Sequence, residues 1–393
     1  MPPARRLQGV RSSPVRDLLA LTLRPEVISF AGGLPAPELF DVDGWGDAFA
    51  KAVGDRRNLQ YGPTEGDPVL RALIATRMTD RGVPTAENDL LITTGSQQAL
   101  TLVATTMLEP GDVVAVEEPT YLAALQCFQI AGARVVPVAS DDDGMVPSAL
   151  AEVLERDHPT LVYVIPTFAN PSGRTQPPQR RKEIARLVAD HDTWLVEDDP
   201  YGELRYDGSR VPPLASYGER VLYLGSLSKI GAPGLRLGWL RAPKDLMPVA
   251  VVAKQATDLH TSTIDQAAAA VYLSNTDLDA HVAGLRAAYR ARRDTMLTAL
   301  PATVPPGTTW TNPEGGMFVW LRLPGEVDAT DVLREALKHN VAFVPGAPFF
   351  ATTPDHATFR MSFTTNPPED ITEGMRRLAR AFDEFATQDS LEV

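Results

Sequence analysis

Short apolar runs alternate with amphipathic stretches from about residue 88 to residue 240. Several of the runs are rich in Val, Ile and Leu on both faces, as strands buried in a parallel sheet are. The amphipathic stretches between them supply the crossover helices, so the pattern predicts an α/β fold with a mostly parallel sheet. The seven predicted strands are residues 90–94, 113–118, 134–139, 160–166, 193–199, 221–226 and 235–242.

The pattern changes after residue 244, where helical periodicity continues to about residue 300. The runs TTWTNPEGGMFVWLRL, NVAFVPG and ATFRMSF then favour strands, and DATDVLREALKHN and EDITEGMRRLARAFDEFA favour helices. A smaller α+β domain is therefore expected at the C-terminus. We predict three units: an N-terminal arm at residues 1–45, a large domain at residues 46–290 and a small domain at residues 291–393.

Charge and composition exclude several classes of function. The formal net charge of −13 over 393 residues argues against nucleic acid as a partner, because phosphate-backbone binding needs a basic face. No run has the roughly 20 apolar residues that span a bilayer, so no membrane span is expected. The single cysteine, Cys127, lies in the apolar stretch ALQCFQIA and is interpreted as a packed core residue. A cytoplasmic protein is expected.

Ligands of an open α/β sheet bind beyond the carboxyl ends of its strands, so the residues there carry the candidate chemistry. The run GSLSK ends at Lys229, directly after a predicted strand. A lysine at such a position can be desolvated, which lowers its pKa enough for it to condense with an aldehyde. Taken alone, it would be a solvated surface charge.

A phosphate site is predicted where the run TTGSQQAL joins a strand to a helix. Backbone N–H groups at a helix start can bind an anion, although the same turn would also fit an ordinary Ser N-cap. Hydroxyl groups and a guanidinium from the segment that contains Lys229 could complete the phosphate-binding site. The predicted phosphate ligands are Gly95, Ser96, Gln97, Ser226, Ser228 and Arg236.

Three further strand ends could hold an aromatic ring. Tyr121 could stack on it, or could be a half-buried core aromatic. Asp198 could keep a pyridine nitrogen protonated, with Tyr201 three residues later. The alternative role, an Asp that caps the next helix, fits Asp199 better. Asn170, in the turn TFANPSG, could donate a hydrogen bond.

Arg360 lies within a predicted strand, TFRMSF, near the C-terminus. An unpaired charge there would be costly, so the guanidinium should meet an anion. A substrate carboxylate held by two hydrogen bonds is one candidate, and a structural salt bridge is the other.

These features, in this order along one chain, resemble the fold type I enzymes that use pyridoxal 5′-phosphate (PLP), in the class I/II aminotransferase family. The resemblance covers nearly the whole chain. It extends to the subgroup that contains 2-aminoadipate and kynurenine aminotransferases, through the segments ISFAGGLPAPELF, LQYGPTEGDPVLR, LITTGSQQAL, YLGSLSK, GLRLGW, DLHT, EGGMFVW and VAFVPGAPFF.

The resemblance implies a PLP-dependent transaminase of amino-acid metabolism and biosynthesis, with a large PLP-binding domain. Lys229 would carry PLP as a Schiff base and, once displaced, move the Cα proton. Asp198 would keep the ring nitrogen protonated, Tyr201 and Asn170 would bind the ring oxygen, and Arg360 would bind the α-carboxylate. The donor would leave as a 2-oxo acid and the cofactor as pyridoxamine 5′-phosphate. A second 2-oxo acid, expected to be 2-oxoglutarate, would reverse the steps.

The same resemblance implies a homodimer with shared active sites, in which Tyr61 reaches the PLP phosphate of the partner. It also implies that Gly33 belongs to a mobile segment, at about residues 24–39, that covers the substrate. Arg24 could contact a side-chain carboxylate of the substrate there, or could be an ordinary surface charge.

Two alternatives stay open at this point. The same scaffold supports other PLP chemistry at Cα, such as a lyase, decarboxylase or oxidase reaction. A non-catalytic PLP-binding regulator is the other, although residues 1–25 are too few for a DNA-binding domain. The donor is open as well, and could be 2-aminoadipate, an aromatic or branched amino acid, glutamate or a specialised amino acid.

Overall fold

A seven-stranded sheet forms the centre of the larger part of the molecule. The computed structural model describes residues 4, 7 and 24–389. The sheet consists of β2 (Leu90–Thr94), β3 (Val113–Glu117), β4 (Arg134–Val138), β7 (Leu161–Val164), β8 (Trp194–Asp198), β9 (Val221–Ser226) and β10 (Leu237–Arg241), in the spatial order β2-β10-β9-β8-β7-β3-β4. All seven predicted strands are present, with bounds that agree to within two residues.

Only β10 in this sheet runs antiparallel to its neighbours, β2 and β9. The other pairs are parallel. Strands β3, β7 and β9 are buried at every position, because helices cover both faces of the sheet. The predicted fold class, α/β with a mostly parallel seven-stranded sheet, is confirmed.

Helices connect these strands and lead into the C-terminal part of the chain. They are α1 (Val42–Gly54), α2 (Pro68–Asp80), α3 (Gly95–Met107), α4 (Leu122–Ala131), α5 (Pro147–Asp157), α6 (Pro178–Asp190), α7 (Met247–Asp258), α8 (Thr263–Asn275), α9 (Leu278–Thr303), α10 (Ala329–Lys338) and α11 (Pro368–Asp389). The 26-residue helix α9 packs against α11 and so joins the two parts of the molecule.

The C-terminal part contains a four-stranded antiparallel sheet in the order β11-β12-β15-β14. Its strands are β11 (Thr309–Trp310), β12 (Phe318–Arg322), β14 (Val344–Pro345) and β15 (Thr358–Ser362). Two short pairs complete the sheets: β1 (Ile28–Ser29) with β13 (Val341–Ala342), and β5 (Ser140–Asp141) with β6 (Gly144–Met145). The smaller α+β unit is therefore present, and its boundary at residue 291 stays a prediction.

The smaller unit contacts the large sheet at the carboxyl ends of the parallel strands. The backbone N–H of Thr120, beyond β3, donates to the carbonyl of Phe349 over 2.8 Å. The Ala351 N–H donates to Oε1 of Glu118 over 3.0 Å. These contacts place the loop after β14 above the strand ends, where the candidate residues of the large domain lie. No helix in the described part of the chain is both long and apolar enough to cross a bilayer.

Candidate active site

One cavity of about 380 Å³ lies at the carboxyl ends of the parallel strands. Twelve of the predicted site residues line it: Gly33, Ser96, Gln97, Tyr121, Asn170, Asp198, Tyr201, Ser226, Ser228, Lys229, Arg236 and Arg360. A larger cavity of about 600 Å³ lies between residues 173–175 and the smaller sheet, and contains none of them. The smaller cavity is therefore the candidate active site.

Lys229 lies in the turn that follows β9. Its Nζ donates a hydrogen bond to the carbonyl oxygen of Gly33 over 2.9 Å. Burial, together with the charges of Arg360 and Arg236, lowers the pKa of Lys229 to about 8. A larger fraction of its amine is therefore neutral near pH 7 than for a solvated lysine, as nucleophilic or basic chemistry requires.

The predicted phosphate turn differs in detail from a Ser-capped helix. Helix α3 begins at Gly95, and its N-cap is Thr94, whose side chain makes no capping hydrogen bond. The alternative of an ordinary Ser N-cap at Ser96 is therefore wrong. Gly95 has a φ of +75°, and a Cβ there would lie 2.6 Å from Nη2 of Arg236. Only glycine fits this approach of the guanidinium to the helix start.

Two serines complete this side of the cavity. The Ser226 hydroxyl donates to Oγ of Ser228 over 2.9 Å, and Ser226 Oγ accepts from the Ser228 N–H over 3.0 Å. Together with the first N–H groups of α3 and with Arg236, they form a set of donors without a carboxylate. This set fits a phosphate group.

Asp198 ends β8 and is only 4% exposed. Its Oδ2 accepts a hydrogen bond from the Tyr163 hydroxyl over 2.8 Å, whereas Oδ1 has no partner among the described residues. Burial raises the pKa of the Asp198 carboxyl to about 7. A protonated pyridine nitrogen would supply the missing donor and stabilise the charged carboxylate, so the residue fits this part of PLP.

The neighbouring Asp199 has a different environment. It accepts from the Gly202 N–H over 2.8 Å and forms an ion pair of 2.6 Å with buried Arg81. The expectation that Asp199 caps a helix is wrong, because a hydrogen-bonded turn follows it. The ion pair with Arg81 holds this turn, which leads from Asp198 to Tyr201.

Tyr121 and Tyr201 line the cavity from two different strand ends. Tyr121 precedes α4, its hydroxyl lies 3.5 Å from Oε1 of Gln97, and burial raises its pKa to about 12. Tyr201 is buried with its ring edge-on to Phe318, 5.8 Å between centroids. Burial raises the pKa of Tyr201 as well, while a hydrogen bond with Asn170 opposes that increase. Both phenols therefore stay protonated near neutral pH and can donate hydrogen bonds.

Arg360 is a buried cation on β15, 4% exposed. Its Nη1 donates to Oδ1 of Asn170 over 2.6 Å and its Nη2 to the Ala31 carbonyl over 2.8 Å. These acceptors are neutral, and Nε has no partner among the described residues. Burial lowers the pKa of the guanidinium to about 10, and no carboxylate of the described chain acts on it. The structural salt bridge is therefore not formed, and an anion from outside is needed.

Aromatic rings surround this guanidinium, and they were not among the predicted site residues. The Arg360 Cζ lies 4.2 Å from the centroid of Phe318 and 5.1 Å from that of Phe349. The segments EGGMFVW and VAFVPGAPFF carry these rings, and a phenylalanine beside a glycine-rich turn was the available signal. The aromatic faces stabilise the cation while excluding water from it.

Three predicted site residues are not among those that line the cavity. Gly95 lies directly behind the lining residue Arg236, and the other two are Tyr61 and Arg24. Tyr61 is 78% exposed, and its ring lies 5.7 Å from that of His260. Arg24 is exposed at the start of the described region. Their predicted roles toward a partner subunit and toward a substrate side chain stay predictions.

The comparisons with known proteins agree with this geometry. The family described as aminotransferase class I and II matches residues 26–378. The chain belongs to this family. Aromatic-amino-acid aminotransferase 1 of Thermococcus litoralis is 43% identical over 386 residues, which cover 96% of this chain and 93% of that protein. The 2-aminoadipate transaminase of Thermus thermophilus is 41% identical, over 95% and 94% of the two chains.

A comparison with a solved structure indicates the same family. LysN, an α-aminoadipate aminotransferase from Thermus thermophilus complexed with N-(5′-phosphopyridoxyl)-L-leucine, superposes with a TM-score of 0.92. It is 38% identical, and the match covers 98% of each chain. This aminotransferase therefore has the fold type I architecture and uses PLP, with pyridoxamine 5′-phosphate as its intermediate form.

Proposed function

We propose that this aminotransferase moves the amino group of an L-amino acid with an uncharged side chain to 2-oxoglutarate. One observation carries the proposal: a buried guanidinium without a carboxylate partner, that of Arg360, shares a cavity with the lysine and the aspartate that suit PLP. The cations that line this cavity are Lys229, Arg236 and Arg360. Each has a role toward the cofactor or the α-carboxylate, so the donor side chain would contact Leu34, Leu122 and Ala123. The distal carboxylate of 2-oxoglutarate, which binds the same cavity in the second half of the reaction, would need a cation from outside this lining, and we assign that role to Arg24.

The residues of the cavity have separate roles in the proposed reaction. PLP, when bound, withdraws electrons from the Cα of the donor. Lys229 would hold the cofactor and, with its pKa lowered to about 8, could act as the base that takes up the Cα proton of the donor and gives it back. Asp198 holds the proton on the ring nitrogen, and Tyr201 and Asn170 bind the ring oxygen. Arg360 would hold the α-carboxylate and so fix the orientation of the donor in the cavity.

The phosphate would be held by the first turn of α3, the two serines and Arg236, with Tyr121 against the ring. These N–H and hydroxyl donors, together with the Arg236 guanidinium, form one anion site, which matches a single phosphate group. Gly33 lies beside the position that the donor would occupy, since its carbonyl accepts a hydrogen bond from the Lys229 amine.

A homodimer is part of the proposal. The segment around Tyr61 is anchored to α8, because the Thr263 hydroxyl donates to the Asn58 carbonyl and the Asp67 N–H donates to Gln266. Several large apolar side chains of the large domain are exposed: Leu59, Tyr61, Val69, Val249, Val252 and Leu259. A second copy would cover them and would bring its own Tyr61 to the phosphate. We place the enzyme in the cytoplasm.

A second candidate donor is 2-aminoadipate, which the name of the Thermus thermophilus relative favours. Its distal carboxylate needs a cation, and so does that of 2-oxoglutarate. Arg24 would be that cation if residues 24–39 close over the substrate.

The experiment follows the cofactor absorbance of purified enzyme with single L-amino acids, then with single 2-oxo acids. Conversion by leucine or phenylalanine and return by 2-oxoglutarate are expected. Faster conversion by 2-aminoadipate would favour the second candidate, and release of ammonia or CO₂ without a 2-oxo acid would refute transamination. Lys229→Ala should lose the bound-cofactor spectrum. The exposed Lys244→Ala should keep it, as a matched control.

A further inference from the structure

Tyr163 is a polar side chain in the middle of the large sheet. It lies on β7, between β8 and β3, and is completely buried. Its ring packs edge-on against Phe128, with the centroids 5.6 Å apart. This packing fixes the ring, so the position of the hydroxyl is set by the sheet and not by a mobile loop.

The hydroxyl of Tyr163 donates to Oδ2 of Asp198 over 2.8 Å. Among the described residues, Oδ1 of Asp198 has no partner, although its atom is buried. Asp198 thus lines the cavity with one carboxylate oxygen held by Tyr163 and the other without a partner among the described residues. A buried polar group with a single partner depends strongly on that partner.

The other charged group that acts on Asp198 is its neighbour Asp199. Asp199 is held by Arg81 and also accepts from the Tyr223 hydroxyl over 2.9 Å. Its negative charge favours a protonated Asp198, as burial does, whereas the hydrogen bond from Tyr163 favours the ionised form. Tyr163 is therefore the group that opposes both effects.

We propose that Tyr163 is a positioning residue for the cofactor: it holds Oδ2 of Asp198 so that Oδ1 faces the ring nitrogen of PLP as a charged acceptor. The inference rests on the proposed role of Asp198. Without the hydroxyl, the carboxyl group can rotate about its last bond and takes up a proton more readily. Both changes weaken its interaction with a protonated ring nitrogen.

Tyr163→Phe removes the hydroxyl and keeps the ring and its packing. We expect the dissociation constant of PLP to rise by about 10-fold to 100-fold, the size of one charge-assisted hydrogen bond. We expect kcat to fall by a similar factor, with KM for the donor nearly unchanged, because Arg360 is untouched. The pH at which the absorbance of the bound cofactor changes should also shift.

Tyr223→Phe is the matched control. It removes an equally buried hydroxyl that donates to an aspartate, on strand β9 at the other side of β8, but that aspartate is Asp199. The Tyr223 hydroxyl also accepts from Nη1 of Arg81 over 2.9 Å. Urea unfolding of both variants measures what each hydroxyl contributes to stability alone. We expect Tyr223→Phe to lose at least as much stability, because it removes two hydrogen bonds, with changed cofactor affinity and absorbance in Tyr163→Phe only.

A double-mutant cycle with Asp198→Asn makes the test specific. Once the carboxylate is gone, removing the Tyr163 hydroxyl should change PLP affinity by less than about threefold. The inference is overturned if Tyr163→Phe binds PLP as wild type does with the same absorbance titration. Equal effects in both backgrounds, or in the Tyr223→Phe control, would overturn it too. In each case wild-type transamination persists, whereas failure of the proposed function would appear in the wild-type enzyme itself.

Discussion

Replacing Asp198 with asparagine should stabilise the cofactor-free enzyme at neutral pH. In the absence of PLP, the ionised carboxylate is buried with one hydrogen bond, from Tyr163, and one oxygen without a partner among the described residues. Asparagine keeps an acceptor for the Tyr163 hydroxyl and carries no charge, so it avoids the desolvation that disfavours the ionised form.

The pKa of Asp198 sets the size and the pH range of the effect. Its ordinary value is 3.8, and burial raises it to about 7 in the folded protein. The folded state binds the Asp198 proton more tightly than the unfolded state does. The favourable contribution of Asp198 to the free energy of unfolding is therefore fully present below pH 3.8 and is lost as the pH rises to about 7. At ~1.4 kcal/mol for each pH unit, the upper limit of the loss is on the order of 4 kcal/mol.

Urea denaturation of cofactor-free wild type and Asp198→Asn, between pH 4 and pH 8, measures this difference. Glu117 and Glu197 also have pKa values raised to about 7 by burial, but both proteins carry them, so their contributions cancel. The two free energies of unfolding should be similar near pH 4, and the variant should be more stable above pH 7. A difference that does not change with pH would refute the reasoning. Added PLP should reverse the order, because wild type binds it more tightly.

Three further predictions concern the cofactor and the substrate. Arg360→Lys should lower kcat/KM for the donor by about 10-fold to 100-fold in steady-state kinetics, because lysine lacks the planar fork; an unchanged value would exclude the carboxylate contact. Gly95→Ala should weaken PLP binding at least about tenfold in a cofactor titration, since its Cβ would displace Arg236; wild-type affinity would contradict this. Arg24→Ala should raise KM for 2-oxoglutarate but not for a neutral 2-oxo acid, whereas equal KM changes would indicate a surface charge.

Strand positions were predictable because a buried strand leaves a strong apolar signal. The direction of β10 does not follow from its own residues, since LRLGWLRA would have the same apolar residues in a parallel strand. Direction depends on the connection from β9, a loop that contains Lys229 and Arg236. This loop is too short for a crossover helix and returns the chain beside β9 in the opposite direction.

Most of the site was predictable from one rule, that ligands bind beyond the carboxyl ends of parallel strands. The rule locates Lys229 and Asp198, but not the partners of Asp198, because these depend on the packing of neighbouring strands. The tyrosine in TLVYVIP was a signal, since a buried phenol needs a hydrogen-bond partner. The pairing of Arg360 with Asn170 joins residues 190 positions apart, and a local pattern carries no such information.

The sequence separations within the site also bear on how the enzyme is assembled during synthesis. Ser226, Lys229 and Arg236 lie in one short stretch between adjacent strands, so closing that stretch costs little chain entropy. The contact of Arg360 with the Ala31 carbonyl instead spans 329 residues. While the ribosome is still adding β15, the seven strands of the large sheet are already available to fold. The nascent chain can therefore form its cofactor site before its substrate site exists.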